Sequence, residues 1–183
     1  MNDPQLIAQI VLWLLVLALT AAFFTSHGQQ KNDKRLVMQK FGLPLMEAFP
    51  DFHAAPIQGG DWRESGEQKG NILLFTSATC QSCQGIYPIV TEYAKRNDVS
   101  IALYMDGDPE LIRKKIDENN VQVPVYHFTP DLFPISKVPA FPYAYYLSSS
   151  GIVFNKGGTQ KEEDLDILLN EGRYMENAMG KAG

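Results

Sequence analysis

Two cysteines that lie three positions apart constrain the fold of this 183-residue chain more than any other feature. The sequence Cys80-Gln81-Ser82-Cys83 follows Asn71 to Ser77, a short apolar run that predicts a buried strand. The next residues, Gln84 to Arg96, have the spacing of a helix with one apolar face, and Pro88 predicts a kink within it. We therefore predict a strand, a CxxC turn and a helix in direct succession.

This placement predicts different chemistry for the two thiols. The first cysteine would lie at a helix start, where unpaired N–H groups and the positive end of the helix dipole favour an anion. Such sites lower a cysteine pKa from about 8.5 to roughly 3.5–7.5, and the thiolate is the attacking species in disulfide exchange. Cys80 is therefore the predicted nucleophile, and Cys83, one turn further on, is the predicted resolving thiol.

The chain has no other cysteines, which limits the alternative uses of this pair. A fold held together by disulfides would need more cysteines, spread along the chain. A structural zinc site usually needs four ligands, and the nearest other soft ligands, His53 and His127, are distant and isolated in the sequence. We expect no metal and no cofactor beyond a redox-active Cys80–Cys83 disulfide. The net charge of −5 gives no reason to expect a nucleic acid partner.

The N-terminal region predicts a membrane anchor. Leu6 to Phe24 is a 19-residue apolar run without charge, long enough to cross most of a lipid bilayer as a helix. It lacks a basic N-terminal flank and exceeds the apolar length of a cleavable signal peptide. We therefore assign residues 1–28 to a transmembrane anchor, 29–48 to a linker and 49–183 to one folded domain, which is long enough for a hydrophobic core.

The rest of the sequence predicts further strands and helices. In chain order we expect a strand over Val99 to Met105, a helix from Asp108 to about Asn119, a strand over Val121 to Phe128, a loop over Thr129 to Phe141, a hairpin of Tyr143 to Leu147 with Ile152 to Asn155, and a helix to about Tyr174. We also expect an edge strand near Phe49 to Phe52 and a capping box between Thr159 and Glu162. Alternating elements followed by a hairpin predict an α/β fold with a mixed central sheet flanked by helices.

These motifs together resemble the thioredoxin superfamily, in its membrane-anchored TlpA/ResA-like redoxin branch. The resemblance covers roughly residues 49–170. It is carried by the CxxC after an apolar strand, by Pro88, by Phe49-Pro50-Asp51-Phe52, and by the string PYAYYLSSSGIVFNKGG that begins at Pro142. Within this branch the chain is most similar to the MauD (methylamine utilisation) group. The resemblance implies a thioredoxin fold and the activity of a thiol-disulfide oxidoreductase. It also implies a protein client, as for a dedicated maturation redoxin, and a second redox partner in the membrane or outside the cytoplasm.

The resemblance also implies which residues hold the client. The Phe141–Pro142 peptide bond would be cis and would place Phe141, Pro142 and Tyr143 beside the CxxC as substrate-binding residues. Pro139 competes for this role, but the spacing to the turn glycine Gly151 favours Pro142. One departure from the family is Leu74, which lies six residues before the first cysteine, where many thioredoxins carry a buried carboxylate. The proton of the resolving thiol would then pass to water or to another group.

Two questions stay open from the sequence. The dipeptide Gln81-Ser82 between the cysteines does not indicate the direction of electron flow. The resemblance implies an extracytoplasmic catalytic domain on a single-pass anchor, whereas Lys31, Lys34 and Arg35 after the anchor favour the cytoplasm by the positive-inside rule. We expect the extracytoplasmic side. A redox-inactive or copper-handling module is the alternative function, although copper-handling relatives use CxxxC with a downstream histidine.

Overall fold

The computed structural model describes residues 5, 8–23, 40–62 and 70–180. The chain divides into two units, Met1–Val37 and Met38–Gly183. In the first unit, residues 8–23 form helix α1, and every residue of this helix is exposed. The ends of the predicted anchor, residues 6, 7 and 24, lie outside the described residues. No helix within the described part of the chain has both the length and the hydropathy needed to cross a bilayer.

The second unit is built on a six-stranded sheet. Its strands are β1 (Pro56–Gln58), β2 (Asn71–Ser77), β3 (Ser100–Asp106), β4 (Val125–His127), β5 (Tyr143–Leu147) and β6 (Val153–Gly158). Their order across the sheet is β1-β4-β3-β2-β5-β6. Strands β2, β3 and β4 run parallel, whereas β1, β5 and β6 pair antiparallel with their neighbours. The predicted mixed sheet is confirmed, and β2, which leads to the CxxC, lies near its centre.

Among the described residues of this unit, four helices accompany the sheet. They are α2 (Val90–Asn97), α3 (Pro109–Glu118), α4 (Phe133–Ser136) and α5 (Glu162–Gly180), and two 3-10 turns occupy Gln81–Cys83 and Pro130–Leu132. The start of α3 is as predicted, because the Asp108 side chain accepts hydrogen bonds from the backbone N–H groups of Glu110 and Leu111. Such a cap satisfies N–H groups that have no partner inside the helix.

Both faces of the sheet are buried, which explains the continuous apolar sequence of β2. One face carries Ile72 and Leu74 and packs against side chains from α2, α3 and α5. The other carries Leu73 and Phe75 and is covered by residues that precede β2, by the 3-10 turn at Pro130–Leu132 and by α4. The faces alternate because successive side chains of a strand point to opposite sides.

Residues 40–48, assigned to the linker from the sequence, pack against this unit. Leu43 is buried, and the backbone N–H of Met46 donates to the carbonyl of Val153 at 2.8 Å. The Lys156 ammonium donates to the carbonyl oxygen of Leu43. The segment therefore lies along β6, the edge strand, and covers backbone groups that an edge would otherwise expose.

The predicted edge strand near Phe49 to Phe52 is wrong, because β1 lies at Pro56–Gln58 and pairs with β4. Phe49 and Phe52 serve as aromatic core residues instead. The ring of Phe52 lies 5.6 Å from that of Tyr104, and the ring of Phe49 lies 5.5 Å from that of Tyr145. Side-chain packing, not strand pairing, fixes this segment.

Helix α2 begins later than predicted, at Val90 and not at Gln84. Pro88 has no N–H and disfavours helical backbone at the residue before it. The chain from residue 84 to 89 therefore forms turns, in which the N–H of Ile86 bonds to Cys83 and that of Ile89 bonds to Ile86. Pro88 delays the regular helix and does not kink it.

Other boundaries also differ: β6 extends to Gly158 and α5 to Gly180, past the predicted ends at Asn155 and near Tyr174. Strand β4 is confined to Val125–His127, because Pro124 cannot donate to a ladder, and the predicted loop after it contains α4. The predicted capping box is wrong: Thr159 donates to the carbonyl of Gly157, and the Asp164 carboxylate accepts from the N–H groups of Gln160 and Lys161 before α5.

Candidate active site

The CxxC lies at the carboxyl end of the central strand β2. The N–H of Ala78 donates to the carbonyl of Asp106 at the end of β3, at 2.8 Å, and the N–H of Cys80 donates to the carbonyl of Ser77 at 3.0 Å. Cys80 is extended and immediately precedes the 3-10 turn Gln81–Cys83. The predicted helix start is therefore a single 3-10 turn, and its local N–H groups lie next to Cys80.

The two cysteines form a disulfide, with their Cα atoms 5.4 Å apart. Cys83 is completely buried among the core residues of the α2, α3 and α5 face, whereas Cys80 is partly exposed at the margin of that core. A client can therefore reach Cys80 and not Cys83. This is the difference in access that the predicted roles of nucleophile and resolving thiol require.

The surroundings of Cys83 are apolar. Leu74 is completely buried in the same core cluster, so the position of the usual carboxylate holds no proton acceptor. The nearby hydroxyl of Tyr87 donates to the carbonyl of Ser77 at 3.0 Å. Burial raises the pKa of Tyr87. Tyr87 therefore keeps its proton and does not replace the missing carboxylate as a base.

The Phe141–Pro142 peptide bond is cis, as the resemblance implied. Phe141 is partly exposed and packs against Phe133, with ring centroids 5.4 Å apart. Pro142 is buried, and its carbonyl accepts a hydrogen bond from the N–H of Thr159 at 3.3 Å. Tyr143 is completely buried, and its hydroxyl donates to the carbonyl of Phe41 at 2.9 Å. Of the three predicted substrate-binding residues, Phe141 therefore has the accessible side chain.

Two polar residues next to the CxxC were not predicted from the sequence. The Gln84 side-chain amide donates to the carbonyl of Cys80 at 3.1 Å. Its oxygen accepts a hydrogen bond from the Lys115 ammonium, on α3, at 3.3 Å. No sequence pattern joins residues 31 positions apart, so only the packing of α3 against the CxxC turn reveals this pair.

Comparison with known proteins is informative for most of the chain. No protein-family model matches the sequence. The methylamine utilization protein MauD of Paracoccus denitrificans is 28% identical over 152 residues, which are 83% of this chain and 70% of that protein. The thiol-disulfide oxidoreductase ResA of Oceanobacillus iheyensis is 23% identical over 148 residues, 75% of this chain and 74% of the relative.

Solved structures show the same fold. A secreted disulfide oxidoreductase of Mycobacterium tuberculosis, homologous to E. coli DsbE, superposes with a TM-score of 0.54 at 16% identity and covers 67% of this chain and 95% of its own. A thiol:disulfide interchange protein of Chlorobium tepidum gives a TM-score of 0.57 at 17% identity and covers 71% of this chain and 98% of its own. The chain is a redoxin of the thioredoxin superfamily, related to MauD. The predicted thioredoxin-like α/β fold of the sheet and its helices and the predicted enzyme class, thiol-disulfide oxidoreductase, are confirmed.

The two histidines among the described residues, His53 and His127, do not join the cysteine pair in a polar site. His127 lies at the end of β4, and its Nε2 is 2.9 Å from the carbonyl oxygen of Gly107. His53 is exposed and lies near Trp62 on the opposite face of the sheet. Among the described residues, no three metal-ligating side chains come together.

Proposed function

We propose that this redoxin is a membrane-tethered thiol-disulfide oxidoreductase that exchanges disulfides with a protein client. The observation that carries the proposal is the bond between a partly exposed Cys80 and a completely buried Cys83 at the end of β2. One sulfur can meet a client, and the other is held where it can attack only its neighbour. The reaction needs no metal and no organic cofactor.

The exchange has two steps that balance without a further reactant. In the reduced redoxin, the Cys80 thiolate attacks a client disulfide, forms a mixed disulfide and releases one client thiolate. Cys83 then loses its proton and attacks the Cys80 sulfur, which forms the Cys80–Cys83 disulfide and releases the second client thiolate. With an oxidised redoxin and a reduced client, the same steps run in reverse. Because Leu74 occupies the carboxylate position, the Cys83 proton passes to water or to another group.

The client-binding surface lies at the cis-proline. In the proposed complex, an extended client segment passes Phe141 and Pro142 while its cysteine bonds to Cys80. The exposed part of Phe141 supplies an apolar contact, and Tyr143 supports the loop from the core. The relationship to the methylamine utilization proteins supports a dedicated maturation client. A second redox protein, in the membrane or outside the cytoplasm, returns the cysteine pair to its starting redox state after each exchange.

The uncharged apolar sequence at residues 6–24 and the exposed apolar side chains of α1 support the membrane tether. We place the catalytic domain on the extracytoplasmic side of a single-pass anchor. Labelling of intact cells with a membrane-impermeant thiol reagent, after mild reduction, tests this assignment. Modification of Cys80 before lysis supports it, and modification only after lysis contradicts it.

Trapping with the Cys83→Ser variant tests the exchange itself. Without the resolving thiol, the mixed disulfide on Cys80 accumulates and can be recovered from membranes and identified by mass spectrometry. The matched controls are Cys80→Ser and the double variant, which should trap nothing. Recovery of no disulfide-linked protein by Cys83→Ser, under conditions in which wild-type Cys80 is reactive, would overturn the proposed function.

A further inference from the structure

Lys115 and Gln84 form a hydrogen-bonded relay that ends on the predicted nucleophile. The Lys115 ammonium donates to the Gln84 amide oxygen at 3.3 Å, and the Gln84 amide nitrogen donates to the Cys80 carbonyl at 3.1 Å. We propose that Lys115, acting through Gln84, is a positioning residue that holds Cys80 and stabilises its thiolate. The inference rests on the proposed thiol-disulfide exchange and deepens it by naming what tunes the attacking thiol.

The two residues are held where such an effect is possible. Gln84 is the residue directly after the CxxC, and its side chain is half-buried. Lys115 is only 21% exposed, whereas its neighbour Lys114 on the same helix is 67% exposed. A charge that is partly withdrawn from water is screened less than one on the surface. The ammonium of Lys115 therefore acts on the CxxC more strongly than other nearby lysines.

The direction of the effect follows from the order of donors and acceptors. The positive charge lies at the oxygen end of the Gln84 amide, and the N–H end of that amide points at Cys80. Hydrogen bonds in series polarise one another, so the ammonium strengthens the donation to the Cys80 carbonyl. After reduction of the disulfide, both the charge and the aligned amide dipole favour a thiolate over a thiol at Cys80.

Other charges near Lys115 and Gln84 reduce the stabilisation of the Cys80 thiolate without reversing its direction. The Glu118 carboxylate accepts from Lys115 at 3.4 Å and lies 3.8 Å from the Lys114 ammonium. Its side chain is 45% exposed, so water screens its charge more than that of Lys115. Asp106 ends β3 and Asp108 caps α3, and the start of α5, with Glu162, Glu163 and Asp164 in its first turn, approaches the CxxC turn where Gln160 lies near Gly85. Replacing Glu118 with Gln should therefore enhance the effect of Lys115.

The rate of alkylation of Cys80 by iodoacetamide, measured against pH in the reduced full-length protein, tests the relay. Mass mapping separates modification of Cys80 from that of Cys83. Lys115→Met should raise the pKa of Cys80 by about half a unit to one unit, which slows alkylation at neutral pH about 3- to 10-fold. Gln84→Met should act in the same direction. Lys115→Arg, which keeps the charge and a donor, should stay within about 2-fold of wild type.

Lys114→Met is the matched control, because it removes the same charge from the same helix and also from the neighbourhood of Glu118. We expect less than about a 1.5-fold change. In a glutathione buffer, Lys115→Met should also move the thiol-disulfide equilibrium toward the disulfide by a factor similar to that seen in alkylation. Unfolding around the CxxC would also return the pKa of Cys80 toward the ordinary value of about 8.5, so circular dichroism of each variant must show that the fold is intact.

The proposal is overturned if Lys115→Met and Gln84→Met both alkylate with the wild-type pH profile. It is equally overturned if Lys114→Met slows alkylation as much as Lys115→Met does. The effect would then depend on the net charge of the helix and not on the hydrogen bond between Lys115 and Gln84. These readouts need no client protein. A failure of the relay is therefore distinguishable from a failure of Cys83→Ser to trap a client, which tests the proposed function.

Discussion

At the scale of single residues, the ring of Tyr146 shows how closely the core of this redoxin is packed. Tyr146 is completely buried on β5, and its hydroxyl donates to the Glu176 carboxylate at 2.8 Å. Two glycines leave space for the ring. A Cβ at Gly172 would lie 2.2 Å from the Tyr146 Cδ1 atom, and a Cβ at Gly70 would lie within van der Waals overlap of its hydroxyl. Gly172 therefore allows α5 to approach β5 closely.

Gly172→Ala should destabilise the protein by about 1–3 kcal/mol, because the added methyl group overlaps the Tyr146 ring. In an exposed helix the same change would stabilise by up to about 1 kcal/mol. Urea unfolding of the purified protein, followed by far-ultraviolet circular dichroism, measures the difference. Asn170→Ala, at an exposed position of the same helix, is the control and should change the free energy of unfolding little. An increase in stability for Gly172→Ala would contradict the close packing.

Sequence reasoning found the residues whose chemistry is local and missed those defined by packing. Cys80 and Cys83 were evident from their spacing, and Pro142 from the resemblance to a family. Tyr143 was predicted to lie beside the CxxC as a substrate-binding residue, but β5 is buried on both faces and the Tyr143 side chain packs in the core. The partnership of Gln84 with Lys115 was also missed, since it joins the CxxC turn to α3, which only the fold brings together.

At the scale of elements, α3 is the helix whose start depends most clearly on one side chain. The Asp108 carboxylate accepts from the N–H of Glu110 at 2.8 Å and from that of Leu111 at 3.3 Å, and Pro109 occupies the first helical position. Both the acceptor and the negative charge suit a helix N-terminus. The same helix carries Lys115 and contributes Ile112 and Ile116 to the core.

Asp108→Ala should lower the free energy of unfolding by about 1 kcal/mol, within a range of roughly 0.5–2, because two N–H groups lose their acceptor. Asp108→Ser keeps an acceptor oxygen and should retain most of the stability. Chemical denaturation of the two variants and the wild type, under one set of conditions, gives the comparison. Equal stabilities for Asp108→Ala and the wild type would show that the cap contributes nothing.

Elements with strong local signals were predicted well. Strands β2 and β5 and the start of α3 follow directly from apolar runs and a capping residue. The start of α2 was wrong because Pro88 acts on the residues before it and not only on its own position. The segment Phe49 to Phe52 was read as a strand, although its aromatic rings are fixed by partners on β3 and β5. Such partners are absent from any local pattern.

At the scale of the whole molecule, the core contains many tyrosines that must remain protonated. Burial is the main cause of a raised pKa at five of them, and at Tyr145 the pKa rises to about 12. The five are Tyr87, Tyr93, Tyr143, Tyr145 and Tyr146. Carboxylates add to the effect at Tyr93 and Tyr146, through Asp166 and Glu176. These groups occupy both faces of the sheet, so their ionisation affects the entire core.

The free energy of unfolding should therefore fall as the pH rises above about 10, the ordinary tyrosine pKa. Above that pH the unfolded chain releases these protons, whereas the folded protein retains them, so unfolding is favoured by up to about 1.4 kcal/mol per pH unit for each such tyrosine. The contribution of Tyr145 is complete below pH 10 and is lost as the pH rises through about 12. Below the ordinary tyrosine pKa these groups are protonated in both the folded and the unfolded protein, so they should give the free energy of unfolding no dependence on pH.

Alkaline titration with two simultaneous signals tests this expectation. Near-ultraviolet absorbance reports tyrosinate, and far-ultraviolet circular dichroism reports the fold, so the buried tyrosines should ionise together with the loss of structure. Tyr145→Phe removes one ionisable group together with the hydroxyl that accepts from Leu43 and donates to Ser136. The Tyr145→Phe variant should have a lower free energy of unfolding at neutral pH. Its free energy of unfolding should also fall less steeply as the pH rises above about 10. Ionisation of all tyrosines while the circular dichroism stays unchanged would contradict the burial of these hydroxyls, because a tyrosinate oxygen in the apolar core would lack the solvation that a charge requires.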